Sequence, residues 1–184
     1  LVQGRCSPYI NLETLKKMRE AGCRWIWFGV ESGSQKILDE SIQKDITIEN
    51  VHRVFDLTRL AGIKALMFIV VGFPGETPSD IKLSADIIRN IKPDDVAIHI
   101  LTPFPGSKVR KYLEEHNLLD NKLENLADYY KYNVEDVVNH HTHEMTAEEI
   151  KRYYRLLYFR FKKNSPGYFI KFILKSLITL PGIH

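Results

Sequence analysis

The chain has 184 residues, 44% hydrophobic, 11% aromatic and 27% charged, enough apolar material for one packed domain and unlike a disordered or fibrous polymer. Lys and Arg number 26 against 23 Asp and Glu, and a net charge of +3 is too balanced to argue for nucleic acid by electrostatics. Two cysteines, Cys6 and Cys23, can neither build a disulfide framework nor hold a metal cluster by themselves, and their scarcity fits a reducing, cytoplasmic setting.

Leu1-Val2-Gln3 reads as the tail of a strand already under way, with no signal-peptide pattern and no apolar stretch of the ~20 residues a membrane span needs. The expectation is a fragment of a longer polypeptide. Asn11 can cap a helix whose apolar positions Leu12, Leu15, Met18 and Ala21 recur at helical spacing up to Gly22. The run from Arg24 to Val30 follows, apolar at nearly every position, and predicts a strand buried on both sides. The pattern repeats: Thr47 caps a helix carrying Val51, Val54, Phe55 and Leu60, Ala61-Gly62 ends it, and Ile63 to Val71 is again almost wholly apolar.

A third unit opens at Thr77-Pro78-Ser79-Asp80, with a cap, a first-turn proline and an acid at the positive end of the helix dipole. Ile81, Ala85 and Ile88 give its buried stripe, Pro93-Asp94-Asp95 breaks it, and Val96 to Leu101 is the next strand. Helices alternating with apolar strands near 1–4, 24–30, 64–71 and 96–101 predict an α/β fold of right-handed βαβ units with a parallel sheet. Four such strands do not close a barrel, so a partial one is expected. Beyond Gly106 the residues 107–116 read as helix and 121–138 as polar and irregular. Thr146-Ala147-Glu148-Glu149 is a capping box for a helix to about Lys163, and 168–180 forms a last, mostly apolar helix. The expected division is a barrel portion over 1–120 and a helical extension over 121–184.

In parallel α/β folds ligands bind at the carboxyl ends of the strands, so the strand exits are where chemistry is expected. The second strand leaves through Gly29-Val30-Glu31-Ser32-Gly33-Ser34, where a carboxylate can accept two hydroxyl hydrogen bonds, as from a ribose. Glu31 as a cap of the following helix is the plainer reading, and the one the pattern alone favours. The third strand leaves through Gly72-Phe73-Pro74-Gly75-Glu76-Thr77, a rigid turn expected to expose backbone N–H groups, without the dinucleotide glycine spacing or a Walker lysine. The fourth exit, Thr102 to Ser107, is similarly stiff.

These motifs resemble the radical S-adenosylmethionine (radical SAM) superfamily. The residues that carry the likeness are Glu20-Ala21-Gly22 before Gly29 to Ser34, with Leu38 and Lys44 at their offsets; Leu60-Ala61-Gly62-Ile63 leading to Gly72 to Thr77; and Pro103 to Ser107. The likeness runs from Leu1 to about Asp120 and is looser through Met145–Ile150 and Tyr158–Phe161. Within the superfamily the chain looks most like the cobalamin-binding branch, including relatives of the anaerobic Mg-protoporphyrin IX monomethyl ester oxidative cyclase.

The resemblance implies strands three to six of a (β/α)6 barrel, with S-adenosylmethionine and a [4Fe–4S] cluster at the strand carboxyl ends. The family's C-x-x-x-C-x-x-C loop would lie outside this chain, as would any cobalamin domain, so the fragment alone is expected to be inactive. By the resemblance Glu31, with Ser32 beside it, would contact the cofactor's ribose and Lys44 its carboxylate. Arg5 would make a polar cofactor contact, Val70, Val71 and Gly72 would line the adenine, and Leu101 and Thr102 would complete that pocket. Phe68 stands near where some relatives carry an acid and cannot make that contact.

The implied activity is reductive cleavage of S-adenosylmethionine for radical chemistry, or cobalamin-dependent methyl transfer, on an unknown small-molecule substrate; the cofactors supply the chemistry. The alternatives are a tRNA-modifying enzyme of the same superfamily and a non-catalytic barrel scaffold. Four features take the plainer of their readings. The tract His140-His141-Thr142-His143 lacks a second ligand cluster and reads as a solvated loop, and His99 reads as a core histidine on a buried strand. The mix of Tyr153, Tyr154, Tyr158, Phe161 with Arg155, Arg160, Lys162 and Lys163 reads as a helix packing its aromatic stripe on the barrel rather than as a nucleic-acid surface. The helix 168–180, with Lys171 and Lys175, is expected to dock on the missing N-terminal half of the protein, a membrane surface being the weaker alternative.

Overall fold

The computed structural model describes residues 1–120 and 138–162. Its elements in chain order are β1 (Val2–Gly4), α1 (Leu12–Glu20), β2 (Trp25–Glu31), α2 (Gln35–Ile37), which continues in a π-helical turn (Leu38–Ile42), α3 (Ile48–Leu60), β3 (Lys64–Val71), α4 (Pro78–Ile91), β4 (Asp95–Ile100), α5 (Lys108–Glu115) and α6 (Ala147–Lys162). The four strands form one parallel sheet in the order β1-β2-β3-β4, as the alternating pattern predicts. The strands begin and end within a residue or so of the predicted positions.

Local chemistry starts the helices where expected. The Asn11 side chain accepts from the Thr14 N–H at 2.9 Å and Thr47 Oγ1 from the Asn50 N–H at 3.1 Å. Thr77 and Asp80 form both arms of a capping box at α4, and Thr146 with Glu149 does the same before α6. The exposed Glu149 carboxylate is held below its ordinary range by the Thr146 backbone N–H first and the Thr146 hydroxyl next.

The core lies on one side of the sheet. Ile26, Phe28, Val30, Met67, Ile69, Val71, Val96 and Ile98 point there and pack against Leu15, Val54, Phe55, Ile81 and Ile88 of the helices. Phe28 and Phe55 meet in a tilted ring pair at 5.2 Å, and burying each such ring is worth roughly 1.5–3 kcal/mol. Leu60 is a correction to the predicted α3 stripe: it is 70% exposed. The buried place belongs instead to Thr58, one turn after Val54, and its hydroxyl donates to the Val54 carbonyl at 2.7 Å.

The expectation that the strands are buried on both sides is also corrected. Among the described residues helices cover only one face; on the other, Leu66 is buried, Trp25, Trp27, Phe68 and Val70 are half-buried and His99 is exposed. The strands read as apolar throughout because this open face carries a row of rings. Trp27 meets Phe68 edge-on at 5.8 Å, and Phe68 lies nearly parallel to His99 at 5.8 Å. His99 is therefore not the core histidine its strand suggested.

Helix α6 joins the outer helical layer. Ile150, Tyr154 and Leu157 enter the main core while Tyr153, Tyr158 and Phe161 pack against it, so the aromatic stripe is spent on packing, as predicted. Among the described residues no helix is long and apolar enough to cross a membrane. The predicted irregular stretch over 121–137 and the predicted helix 168–180 lie outside the described residues.

Candidate functional site at the carboxyl edge of the sheet

At the end of β2 the pairing with β3 slips: Gly29 faces Phe68, yet Glu31 faces Ile69. A slip of this kind re-aims the side chains beyond it. Glu31 takes up the change with φ 73°, a left-handed conformation costly for a residue with a Cβ. Its carboxylate folds back over the bare Cα of Gly29, where a Cβ would lie 2.6 Å from Glu31 Oε1. A side chain at Gly29 would therefore have to push the carboxylate out of the place it now occupies.

Lys44 reaches the same point. The π-helical turn Leu38–Ile42 ends at Gln43 with φ 53°, and the Lys44 N–H closes the turn on the Leu38 carbonyl at 3.1 Å. The Lys44 ammonium then lies 2.5 Å from Glu31 Oε1 and donates to the Gly29 carbonyl at 3.2 Å. The two side chains are only about one-fifth exposed, at 21% for Glu31 and 19% for Lys44. Glu31 is therefore not a helix cap, since Ser34 holds the N-cap place of α2, and Lys44 is drawn largely out of solvent.

The loop behind this pair is pinned to α4. The Gly33 N–H donates to Ser84 Oγ at 2.8 Å, Ser34 Oγ donates to Asp80 Oδ1 at 2.6 Å, and the Ser34 N–H donates to Ser32 Oγ at 3.1 Å. A Cβ at Gly33 would overlap the Leu83 carbonyl of α4, so glycine is needed for this close approach. Ser32 and Ser34 are buried and used internally. Desolvation opposes ionisation of Asp80, but the Ser34 and Thr77 hydroxyls, the Thr77 N–H and the Lys36 charge together hold it below its ordinary range.

The β3 exit is organised differently, and here the expectation of exposed N–H groups fails. The Gly72 N–H donates to Glu76 Oε2 at 2.6 Å and the Gly75 N–H to Glu144 Oε2 at 3.1 Å. The Glu76 and Thr77 N–H groups go to the Phe73 carbonyl at 3.0 Å and to Asp80 Oδ2 at 2.9 Å. Ser41 Oγ donates to the Pro74 carbonyl, and Lys36 Nζ donates to the Gly75 carbonyl at 2.9 Å. Glu76 is fully buried, and desolvation pushes its carboxyl up to about 8 against the pull of the Gly72 and Phe73 N–H groups. The turn holds itself together instead of offering donors to a ligand.

The histidine tract is the residue set that sequence reasoning misplaced. His140 is completely buried, and its Nε2 lies 2.8 Å from the Gly72 carbonyl, so that nitrogen carries the proton. Burial lowers its pKa below the ordinary value, keeping the ring neutral. Gly72 has φ 99°, and a Cβ there would lie 3.1 Å from both His140 Nε2 and Ile150 Cγ2. An isolated bridge between Leu119 and His140 delivers the ring. The tract's lack of helical or strand periodicity hid this; the only signal was a glycine needing a partner 68 residues away. His141 pairs with Asp120 at 2.7 Å, and no group of three or more potential metal ligands exists among the described residues.

The remaining predicted site residues fall along the same edge. Arg5 is exposed at the end of β1, and Val70 is half-buried on the open face. Leu101 and Thr102 are half-buried just beyond β4, the Leu101 N–H donating to the Val71 carbonyl at 2.8 Å. Val71 points the other way, 1% exposed in the helix-covered core, and Gly72 is enclosed by His140 and Ile150. Side chains brought together on the open side are thus Glu31 and Lys44, with Phe68 beside Gly29 in register.

Residues 2–88 match the family model of the radical SAM superfamily. Over this segment the chain is similar to that superfamily. The chain is 29% identical over 179 residues to an uncharacterized methyltransferase of Pyrococcus horikoshii, covering 92% of this chain and 38% of that protein. It is 31% identical over 115 residues to a putative methylthiotransferase of Methanocaldococcus jannaschii, covering 60% of this chain and 25% of that protein. The chain therefore spans well under half the length of these relatives. In fold it is similar to Elp3 of Methanocaldococcus infernus, with TM-score 0.57 and 18% identity over 88% of this chain and 41% of that one.

The superfamily uses S-adenosylmethionine and a [4Fe–4S] cluster. A nucleoside with vicinal hydroxyls fits what this segment offers: a carboxylate turned over a bare glycine on an open sheet edge. The cluster does not fit its cysteines. Cys6 is fully buried and desolvation pushes its thiol up to about 12, the nearby Lys44 charge only partly opposing this, while Cys23 Sγ donates to the Trp25 carbonyl at 3.4 Å.

Proposed function

We propose that this chain belongs to the radical SAM superfamily and forms the nucleoside-gripping side of an S-adenosylmethionine site in a group-transfer enzyme, with the cluster held by residues outside this chain. The observation that carries the reading is Glu31: a left-handed backbone at a strand slip, with a carboxylate over Gly29 on the uncovered face. Such strain at a strand's carboxyl end is the kind of feature that ligand sites retain. Glu31 would accept from the ribose hydroxyls, Val70 and the Leu101–Thr102 backbone would flank the base, and Arg5 would stand at the near rim. Once bound, the cofactor supplies the radical or methyl-transfer chemistry; the residues here bind and orient it.

The relative named as a methyltransferase, matched over 92% of this chain, supports methyl transfer over the oxidative cyclase reaction, and cobalamin is the natural partner cofactor for that chemistry. Methylthio transfer is the second reading, supported by the methylthiotransferase relative. The substrate proposed is a small molecule, because the aromatic face of α6 is spent on packing rather than left for RNA bases.

Calorimetry on the protein at its full genomic length, reconstituted anaerobically with iron and sulfide, tests this. Glu31→Ala should weaken S-adenosylmethionine binding by roughly 1–3 kcal/mol, the cost of losing a charged acceptor. An unchanged affinity removes Glu31 from the site. Mass spectrometry of products formed from methyl-labelled S-adenosylmethionine separates methyl from methylthio transfer.

A further inference from the structure

Resting on that reading, we infer that Lys44 is a positioning residue for Glu31 and does not grip the anionic end of the ligand. The resemblance to relatives assigns Lys44 to the cofactor carboxylate, but the geometry commits its ammonium elsewhere. Nζ is 2.5 Å from Glu31 Oε1 and 3.2 Å from the Gly29 carbonyl, so two of its three donors are used within the chain. Only 19% of the side chain is exposed, and the ammonium sits on the same bare patch of β2 as the carboxylate: a Cβ on Gly29 would lie 3.2 Å from Lys44 Nζ.

The arrangement has a physical purpose. Glu31 stands in a backbone conformation that a residue with a Cβ avoids, and its carboxylate would otherwise be free to swing off the sheet edge. A cation anchored on the adjacent carbonyl fixes one oxygen, Oε1, and leaves Oε2 as the ligand-facing acceptor. The π-helical turn at Leu38–Ile42 is what delivers Lys44 to this point, with Gln43 left-handed immediately before it. The turn and the strained acid thus form one device: the first places the cation, the cation holds the second.

The two roles for Lys44 are separable with a ligand that lacks the amino-acid end. S-Adenosylmethionine and 5′-methylthioadenosine share the nucleoside but only the former has the carboxylate. Calorimetric affinities of both are measured for the wild-type full-length protein and for Lys44→Met, Lys44→Arg and Glu31→Gln. A positioning role predicts that Lys44→Met weakens both ligands by a similar factor, about tenfold. It also predicts that Lys44→Arg restores part of both affinities, and that Lys44→Met in a Glu31→Gln background costs little more, since the effect passes through Glu31. Loss of S-adenosylmethionine affinity with 5′-methylthioadenosine unchanged overturns the inference and returns Lys44 to the ligand's carboxylate. Unchanged affinity for both ligands in Lys44→Met, with Glu31→Gln still weakened, also overturns it. If Glu31→Gln itself binds both ligands normally, the site reading fails rather than the role of Lys44.

Discussion

The exits of β2 and β3 are built from similar letters, glycines around one glutamate, and are put to opposite uses. At the β2 exit Glu31 is strained, partly exposed and answered by a single lysine. At the β3 exit Glu76 is fully buried, bonded to the N–H of Gly72, and its Oε1 has no hydrogen-bond partner among the described residues. The difference lies in what stands behind each turn. His140, Glu144, Lys36 and Ser41 close around the β3 turn and use up its backbone groups, whereas the β2 turn is pinned only from below, through Gly33 and Ser34 on α4. A carboxylate left reachable at a sheet edge can serve a ligand; one sealed in a turn serves the turn.

This contrast can be broken experimentally, most severely at its supports. Gly33→Ala places a methyl group on the Leu83 carbonyl and should destabilise the fold by about 3 kcal/mol or more in denaturant unfolding, because helix backbone cannot move aside. A cost under about 1 kcal/mol would mean that the β2 turn is not seated on α4 as described. His140→Ala should cost about 2–3 kcal/mol by leaving the Gly72 carbonyl unpaired beside a cavity, with His140→Gln recovering part of it. A wild-type-like His140→Ala would show the β3 turn to be self-sufficient.

The titration of the sealed acid sharpens the comparison further. Glu76 binds its proton more tightly in the folded chain, at about 8, than at the ordinary 4.5, so its contribution to stability is present below pH 4.5 and is lost as pH rises toward 8. Glu76→Gln should flatten that fall when unfolding free energy is measured at several pH values; an unaltered slope would assign it to another group. His140 acts in the opposite sense, its stabilisation being lost as pH drops below 6.5, which the His140→Gln variant separates. The smallest effect is expected for Lys36→Met, under about 1 kcal/mol, because Lys36 reaches Gly75 from a half-exposed position.

The order and type of the elements were legible in the sequence, because caps such as Asn11, Thr47 and Thr77 and the alternation of helix and apolar strand are local signals. The open sheet face was not. Trp27, Phe68 and Val70 are apolar whether helices cover them or not, so composition could not distinguish a ring-lined open face from a second core. Glu31 and Lys44 were identified from their motif offsets, but their mutual contact depends on a strand slip and a π-helical turn that no periodicity announces. His140 escaped for a related reason: its partner, Gly72, is set by how the chain returns after α5.

The most direct test of this account compares two conservative changes in the full-length protein, Glu31→Gln and Glu76→Gln, by S-adenosylmethionine calorimetry and thermal unfolding side by side. The account predicts that Glu31→Gln loses affinity by about tenfold while keeping its stability, and that Glu76→Gln keeps its affinity while the fall of its stability from pH 4.5 toward 8 flattens. Lost binding in Glu76→Gln with full binding in Glu31→Gln would contradict it.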